Sequence, residues 1–224
     1  MPSVTFVLVA VAGYLLGSIP CGVIVARLFA GEDVRQMGSG RTGSTNVMRV
    51  VGWKLGLLTG ILDTLKAGSA VWLAQWLLPG NHWAVVVAGL AAVIGHIYSI
   101  FIGFKGGAGG GPTVGAGIAL WPWTAAFVIP LGALVWYGIG YASVATLSFS
   151  LIIIAVMAVR WYLHQGPWEY VVYGVGTLGI CLWALRPNLK RLMNGTERAH
   201  GWRAKRQAEQ AAAKASSESS GGVP

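Results

Sequence analysis

Residues 38–49 read GSGRTGSTNVMR and place hydroxyl, amide and guanidinium side chains among glycines. Glycine permits positive φ and close backbone approach, so successive N–H groups can form an anion-binding nest. An arginine guanidinium can also fork onto two phosphate oxygens. This pattern favours a phosphate site, and an ordinary polar connector is the alternative interpretation. The candidate contacts are Gly38, Ser39, Gly40, Arg41, Thr45, Asn46 and Arg49.

A second cluster, 103-GFKGGAGGGPTVG-115, is rich in glycine and opens an apolar segment. A glycine nest that leads into a helix N-terminus suits a phosphate group. No Gly-Lys-Ser/Thr follows at P-loop spacing, and no predicted strand precedes the cluster. The candidate contacts are Lys105, Gly106, Gly107 and Gly109; a flexible hinge with one snorkelling lysine is the alternative.

Three of the ionisable residues inside the apolar stretches are functional candidates. Asp63 and Lys66 are three residues apart, so a helix places them on one face. Ionisable side chains within a membrane span are costly and are functional candidates by default. His96 approaches the same end of the next apolar stretch. A buried structural ion pair and a packing histidine are the alternatives.

The segment 186-RPNLKRLMNGTE-197 adds Asn188 and Glu197 to the candidates, together with Lys190 and Arg191. A membrane-exit helix anchored by basic residues would give the same pattern. Patterns typical of other enzymes are absent from the sequence: His-x4-Asp, Gly-x-Ser-x-Gly, His-Glu-x-x-His and Cys-x-x-Cys. No residues have metal-ligand spacing, so we expect neither a metal nor a cofactor.

The composition indicates the scaffold that must position these clusters. Of the 224 residues 55% are hydrophobic and only 10% are charged, with a mean hydropathy of +0.63. A soluble domain has about 25% charged residues. Residues 106–159 contain no Asp, Glu, Lys, Arg or His. These features exclude a soluble globular fold, a disordered chain and a disulfide scaffold, and they predict an all-α polytopic membrane protein.

The net charge of +9 lies partly in the tail, where a basic segment is typical of the cytoplasmic membrane surface. We therefore expect contact with membrane lipids and no nucleic-acid partner. Residues 1–200 should form the membrane domain. Residues 201–224 should form a cytoplasmic tail, basic and then rich in Ser and Gly, that is a frayed helix followed by disorder.

Apolar stretches of spanning length cover residues 4–29, 52–78, 83–104, 141–160 and 168–185, and a longer one covers 113–140. Basic residues between 30 and 51 place that loop, like the tail, in the cytoplasm, with the N-terminus outside. An even number of crossings must then lie between 113 and 186. We expect Pro122 to divide 113–140 into a short helix to about Trp121 and a return to about Gly140. This predicts seven transmembrane helices, some short or broken; five is the alternative count.

The clusters together resemble the PlsY-type bacterial glycerol-3-phosphate acyltransferases, integral membrane enzymes that use acyl phosphate as the donor. The resemblance covers residues 13 to about 200. The matching segments are 17-GSIP-20, 38-GSGRTGSTNVMR-49, 63-DTLKAG-68, 95-GH-96, 103-GFKGG-107 and 188-NLKRLMNGTE-197.

This resemblance implies transfer of a fatty acyl group from acyl phosphate to glycerol 3-phosphate, giving lysophosphatidic acid and phosphate in phospholipid synthesis. It implies a multi-pass protein of the bacterial inner membrane whose active site faces the cytoplasm. Ser39 and Arg49 match glycerol-phosphate contacts, and Gly106, Gly107 and Gly109 match the loop proposed to hold acyl phosphate. Asn188 and Glu197 match the third motif. We take Ser39, Arg49, Lys105 and Asn188 as catalytic. The expected substrate-binding residues are Gly38, Gly40, Arg41, Thr45, Asn46, Lys66, His96, Gly106, Gly107, Gly109, Thr146 and Glu197.

The chain departs from the family pattern at four positions. Ala108 stands where a second lysine is usual and Leu185 where a histidine is usual, while Thr146 replaces a serine and Arg41 an asparagine. Our hypothesis is that Arg41 restores the charge lost at Ala108. The alternatives are a divergent paralogue with a changed substrate or no activity, a transporter for a phosphorylated compound or lipid, and a non-catalytic subunit that binds lipid phosphate.

Overall fold

The computed structural model describes residues 2–204 and 206–209. Before residue 200 this described part consists of helices and connecting turns and has no strand. Residues 201–204 and 206–209 are also helical, and the later part of the predicted tail lies outside the described residues. The α-helices are α1 (Pro2–Ser18), α2 (Cys21–Ala30), α3 (Ser44–Val51), α4 (Trp53–Leu77), α5 (His82–Ile97), α6 (Gly110–Leu120), α7 (Ala125–Ile139), α8 (Ala142–Tyr162) and α9 (Glu169–Met193).

The molecule is a membrane protein by the length and apolarity of its helices. Within the described residues five helical segments are long and apolar enough to cross a bilayer, and many of their large apolar side chains face outwards. Outward-facing leucine, isoleucine and tryptophan suit lipid contact. These segments are Val4–Ala30, Trp53–Leu77, His82–Ile102, Pro122–Ile139 and Ala142–Tyr162.

The first apolar stretch is divided into two helices, whereas the sequence predicted one continuous helix over 4–29. α1 ends at Ser18 and α2 begins at Cys21, because Pro20 lacks an N–H and disfavours helical backbone at Ile19. The break leaves the Ile19 carbonyl oxygen accessible, and it accepts a hydrogen bond from Lys66 Nζ at 2.6 Å. Pro20 therefore leaves the Ile19 carbonyl oxygen available to accept a hydrogen bond from the buried Lys66.

The break predicted at Pro122 is present. α6 ends at Leu120, a 3₁₀ turn covers Pro122–Thr124, and α7 ends one residue before Gly140, whose φ is +74°. With 11 residues α6 is about 16 Å long, roughly half the thickness of a hydrocarbon core. It is buried against its neighbours and packs closely on α4, where a Cβ on Gly115 would lie 1.9 Å from the Thr64 carbonyl oxygen.

The turns of the bundle gather at two ends. At one end the first turn of α5 meets the residue before α9, with ring centroids of Trp83 and Trp168 5.3 Å apart. At the same end Arg160 stacks on Trp121, directly after α6. The loop before α3, the glycine loop before α6 and the last turns of α9 meet at the other end through hydrogen bonds described below. All three predicted phosphate-binding clusters therefore lie together.

Candidate active site

The loop of residues 38–43 is folded around the side chain of Asn46. Its Oδ1 accepts from the Ser39 N–H at 2.8 Å, and its Nδ2 donates to the carbonyl oxygens of Val34, Met37 and Arg41 at 2.9–3.1 Å. Gly38 has a φ of +59°, and a Cβ there would lie 2.3 Å from Asn46 Oδ1. The sequence predicted that Asn46 binds substrate; in the structure it lines the cavity described below, and its amide is engaged with the backbone and shapes the loop.

The second half of this segment is helical, where the sequence indicated only a polar loop. α3 begins at Ser44 after the extended residue Gly43, and Gly43, Ser44 and Thr45 line a cavity. The first N–H groups of a helix lack intrahelical acceptors and carry partial positive charge. The helix N-terminus therefore adds to the anion-binding character of the loop.

Arg41 joins three segments of the chain. Its Nη1 donates to the Gly107 carbonyl oxygen at 3.1 Å, and its Nη2 donates to the Ala184 carbonyl oxygen and to Asn188 Oδ1, both at 2.9 Å. The described carboxylates make no ion pair with it. Burial lowers the pKa of the guanidinium, as does the positive charge of Arg191. An arginine still carries its charge at neutral pH, so Arg41 brings an unpaired cation to this place.

Asn188 is held in one orientation by Glu197. Its Nδ2 donates to Glu197 Oε1 at 2.8 Å, which leaves Oδ1 to accept from Arg41. The buried Glu197 also accepts from Arg191 Nε at 3.3 Å. Because a carboxylate only accepts hydrogen bonds, this contact fixes which side of the amide faces Arg41.

The glycine loop is fastened to the end of α5. The N–H groups of Gly106 and Gly107 donate to the carbonyl oxygens of Ile97 and His96 at 2.9 and 3.0 Å. A Cβ on Gly107 would lie 2.0 Å from His96 Nε2, so this close approach requires glycine. Gly109, with a φ of +93°, immediately precedes α6. The predicted order of glycine loop and then helix N-terminus is present.

Lys66 and Asp63 of α4 form a buried ion pair, with Nζ and Oδ1 2.8 Å apart. His96 Nδ1 lies 3.1 Å from Lys66 Nζ and 3.4 Å from Asp63 Oδ1. The one-face arrangement predicted for Asp63 and Lys66 is therefore present. Among the described residues no group of three or more His, Cys, Asp and Glu side chains is placed to hold a metal ion.

These groups border a cavity of 720 Å³. Its polar part is lined by the 38–49 segment, Asn188, Glu197 and two further arginines, Arg191 and Arg198. An apolar arm extends from there between α4, α6, α7 and α8. Side chains that line this arm include Ile61, Val114, Ile118, Val128, Ile129 and Phe149.

Most of the predicted site residues line this cavity. They are Gly38, Ser39, Arg41, Thr45, Asn46, Arg49, His96, Thr146, Asn188 and Glu197. Four other predicted residues do not line the cavity but contact or adjoin residues that do: Lys66, Gly106, Gly107 and Gly109. Gly40 belongs to the 38–43 loop and does not line the cavity. Lys105 is different: its side chain is exposed and does not border the cavity.

Arg198 is a cavity residue that the sequence did not reveal. Its Nη1 donates to the Gly38 carbonyl oxygen, so the chain after α9 crosses to the 38–43 loop. Arg49, at the mouth, has its pKa lowered by partial burial and by the nearby charge of Arg198. The residues after the third motif carried no pattern that distinguished Arg198 from the other basic residues of the tail.

Comparison with known proteins agrees with this geometry. A family model described as glycerol-3-phosphate acyltransferase matches residues 7–195. A glycerol-3-phosphate acyltransferase of Anaeromyxobacter sp. (strain Fw109-5) is 41% identical over 197 residues, which cover 86% of this chain and 94% of that protein. The protein of the same description from Thermus thermophilus is 38% identical over 191 residues, covering 85% of this chain and 93% of that protein.

Two crystal structures of PlsY, an integral membrane glycerol 3-phosphate acyltransferase, have the same fold. The glycerol 3-phosphate form superposes with a TM-score of 0.77 at 33% identity, and the lysophosphatidic acid form with 0.75 at 31%. Each alignment covers 88% of this chain and 96% of the PlsY chain. The chain therefore belongs to the glycerol-3-phosphate acyltransferase family.

Proposed function

We propose that this protein transfers a fatty acyl group from acyl phosphate to glycerol 3-phosphate, forming lysophosphatidic acid and phosphate. The observation that carries the proposal is one cavity that joins an arginine-rich polar part to an apolar arm among membrane helices. A phosphorylated head group and an acyl chain need these two environments side by side. The names of the relatives and the two ligand forms of PlsY support the same reaction.

The polar part offers separate places for two phosphate groups. Ser39 and Arg49 stand at the mouth and would bind glycerol 3-phosphate, as the family resemblance implies. Arg41, the α3 N-terminus, Ala108 of the glycine loop and the first two residues of α6 (Gly110 and Gly111) line the cavity further in, next to the apolar arm, and would hold the phosphate of the donor. Thr146 and Ser143, whose hydroxyl has no hydrogen-bond partner among the residues that the structure describes, border the same space and offer further donors.

The proposed acyl transfer depends mainly on the positioning of the two substrates and on neutralisation of their phosphate charges. A glycerol hydroxyl oxygen attacks the carbonyl carbon of acyl phosphate, the bond from that carbon to the phosphate oxygen breaks, and the hydroxyl proton leaves with the phosphate. A mixed anhydride has a good leaving group. Orientation of the two substrates and fixed positive charge near the phosphates can therefore supply most of the acceleration.

We further infer seven membrane crossings, with α1 and α2 forming one and α4 to α9 one each. Support comes from the two-ended arrangement of turns and from the reversal at Pro122. The basic residues around the cavity favour a cytoplasmic site, with the N-terminus outside and the C-terminus inside the bacterial inner membrane. The membrane domain would then end near residue 200 and the cytoplasmic tail begin there.

The test is a turnover assay on the purified protein in detergent or lipid nanodiscs, with acyl phosphate and glycerol 3-phosphate. We expect equal amounts of lysophosphatidic acid and phosphate. Arg49→Gln should raise the KM for glycerol 3-phosphate about 10- to 100-fold, the worth of hydrogen bonds to a charged group. Lys54→Gln, outside the cavity, is the matched control. No product from the native protein, with saturable binding of the substrates, would contradict the proposal and favour a non-catalytic subunit.

A further inference from the structure

The buried cluster of Asp63, Lys66 and His96 contains an imidazole in addition to the Asp63–Lys66 ion pair. The three residues are 3%, 7% and 5% exposed, and they belong to α4 and α5. A protonated histidine beside Lys66 and Asp63 would leave an uncompensated positive charge, which burial disfavours. A neutral imidazole keeps the cluster balanced.

The hydrogen bonds of Lys66 decide which imidazole nitrogen carries the proton. An ammonium group has three donors and no acceptor. Its three neighbours are Asp63 Oδ1 at 2.8 Å, the Ile19 carbonyl oxygen at 2.6 Å and His96 Nδ1 at 3.1 Å. Asp63 Oδ1 is a second neighbour of Nδ1, at the longer distance of 3.4 Å. A proton on Nδ1 would face the ammonium group at 3.1 Å, so Nδ1 accepts from Lys66 in this arrangement. The proton of a neutral His96 is therefore on Nε2.

Nε2 lies between the two glycine-containing loops. A Cβ on Gly107 would be 2.0 Å from it and a Cβ on Gly43 4.0 Å from it. His96 borders the cavity, and Nε2 has no hydrogen-bond partner among the described residues. Gly107 thus lies against His96 Nε2, and its carbonyl oxygen accepts from Arg41.

We propose that His96 donates a hydrogen bond from Nε2–H to a phosphate oxygen of a bound substrate, and that Lys66 enforces the tautomer that makes this possible. His96 is then a substrate-contacting donor and not a general base, while Lys66 and Asp63 are positioning residues. The role within catalysis rests on the proposed acyltransferase function; the tautomer itself does not.

The tautomer is measured directly by ¹⁵N NMR of protein labelled at histidine, at neutral pH. Protonated and unprotonated imidazole nitrogens have well-separated ¹⁵N shifts, and a His96→Gln sample assigns the His96 signals. We expect a protonated Nε2 and an unprotonated Nδ1. Titration with inorganic phosphate or with glycerol 3-phosphate should shift the Nε2 signal. The reverse tautomer, or a signal unaffected by either compound, would overturn the inference.

Two substitutions test the donor itself. His96→Gln keeps an amide N–H near the position of Nε2, whereas His96→Leu keeps only bulk. Loss of one preorganised donor costs about 100-fold or more in turnover, so we expect that loss for leucine and a loss of less than about tenfold for glutamine. A KM effect confined to acyl phosphate or to glycerol 3-phosphate identifies whose phosphate is bound. Equal activity of both variants would overturn the inference.

Lys66→Met tests the positioning role through the ¹⁵N spectrum. Without the ammonium group, His96 is the one ion-pair partner left to the buried Asp63 carboxylate among the described residues, so we expect His96 to carry a proton on both nitrogens, with Nδ1–H donating to Asp63 Oδ1. A protonated Nδ1 in this variant supports the role of Lys66, and an Nδ1 that stays unprotonated would contradict it. Because Nε2–H is retained, turnover should fall less than in His96→Leu. In the double variant Asp63→Asn/Lys66→Met the Asn amide can donate to Nδ1, so the native tautomer should return.

The outcomes separate the two proposals. A native protein that makes no lysophosphatidic acid, yet shows Nε2–H and a phosphate-dependent shift, contradicts the proposed function alone. A native protein that turns over normally but has an unprotonated Nε2 contradicts the tautomer inference alone. The melting temperature of each variant, measured beside the native protein, identifies loss of folding.

Discussion

Arg41 lies next to two of the positions where the sequence departs from the family pattern, Ala108 and Leu185. Its guanidinium donates to the carbonyl oxygens of Gly107 and Ala184, the residues directly before Ala108 and Leu185. Ala108 packs against the apolar cluster that contains the buried Leu185. A cation from the neighbouring loop thus stands where the family pattern leads us to expect a lysine and a histidine. This placement supports the hypothesis that Arg41 supplies the charge missing at Ala108.

Removal of that charge should lower activity strongly. We expect Arg41→Gln to reduce kcat/KM for acyl phosphate about 100-fold, because a fixed donor next to the leaving phosphate is lost. Arg41→Lys should retain part of the activity. Steady-state kinetics with each substrate varied in turn is the measurement, and Arg27→Gln, at an exposed pair with Asp33, is the control.

The same hypothesis makes a compensation prediction. Ala108→Lys should restore activity in the Arg41→Gln protein and add little to the native protein, so the two changes will be non-additive. Independent effects, or a native rate that is negligible and rises with Ala108→Lys and Leu185→His, would instead indicate a site that has lost its function.

At the residue scale the sequence predicted which segments meet and most of the residues that line the cavity, but it did not predict the placement of every side chain. Residue types identified the 38–49 segment, the glycine loop and Asn188. The exposure of Lys105 could not be predicted, because the left-handed backbone at Gly103 and Phe104 sets the direction of the chain there. The occupied amide of Asn46 and the reach of Arg198 depend on contacts between segments distant in sequence.

At the scale of the helices, one of the two proline breaks was predicted from the sequence and the other was not. The reversal at Pro122 was predictable because the charge distribution required an even number of crossings in that stretch. The break at Pro20 was not, since residues 4–29 have the length of a single span. The break frees the Ile19 carbonyl oxygen to accept a hydrogen bond from Lys66 of α4, and this contact joins segments that are distant in the sequence.

Close packing of short helices depends on small residues, and this gives a stability prediction. Gly115→Ala places a Cβ 1.9 Å from the Thr64 carbonyl oxygen and should destabilise the protein by about 1–3 kcal/mol through overpacking between α6 and α4. Gly179→Ala in α9 meets nothing within 4 Å and should stabilise by up to about 1 kcal/mol. Thermal unfolding in detergent measures both. A lower melting temperature for Gly179→Ala would contradict the argument.

For the whole molecule, the residues that follow α9 complete the cavity. We call residues 196–204 the C-terminal strap. Glu197 binds Asn188, Arg198 reaches the 38–43 loop, and the His200 N–H donates to the Gly140 carbonyl oxygen at the end of α7. The C-terminal strap therefore connects α9, the 38–43 loop and the end of α7 around the polar part of the cavity. The apolar arm lies among the helices.

His200 should make docking of the strap dependent on pH. Its ring stacks on Trp136 with centroids 3.9 Å apart, Nε2 lies 2.9 Å from the Trp136 carbonyl oxygen, and the buried Nδ1 has no partner among the described residues. Burial lowers the pKa of His200, and the charge of Arg49 acts in the same direction. The undocked strap thus binds a proton more readily, so docking is fully stable above about pH 6.5 and weakens as pH falls below that value.

Hydrogen–deuterium exchange at pH 8 and pH 5.5, corrected for intrinsic exchange rates, tests this coupling. We expect peptides of the strap to lose protection at the lower pH, with no corresponding change around Pro122–Thr124 at the opposite end of the bundle. His200→Phe keeps an aromatic ring against Trp136 but cannot be protonated, so its strap should be equally protected at both pH values. If the variant lost protection at low pH as the native protein does, another group would be responsible. Because the strap holds Glu197 against Asn188, turnover of the native protein should fall over the same pH range more steeply than that of the variant.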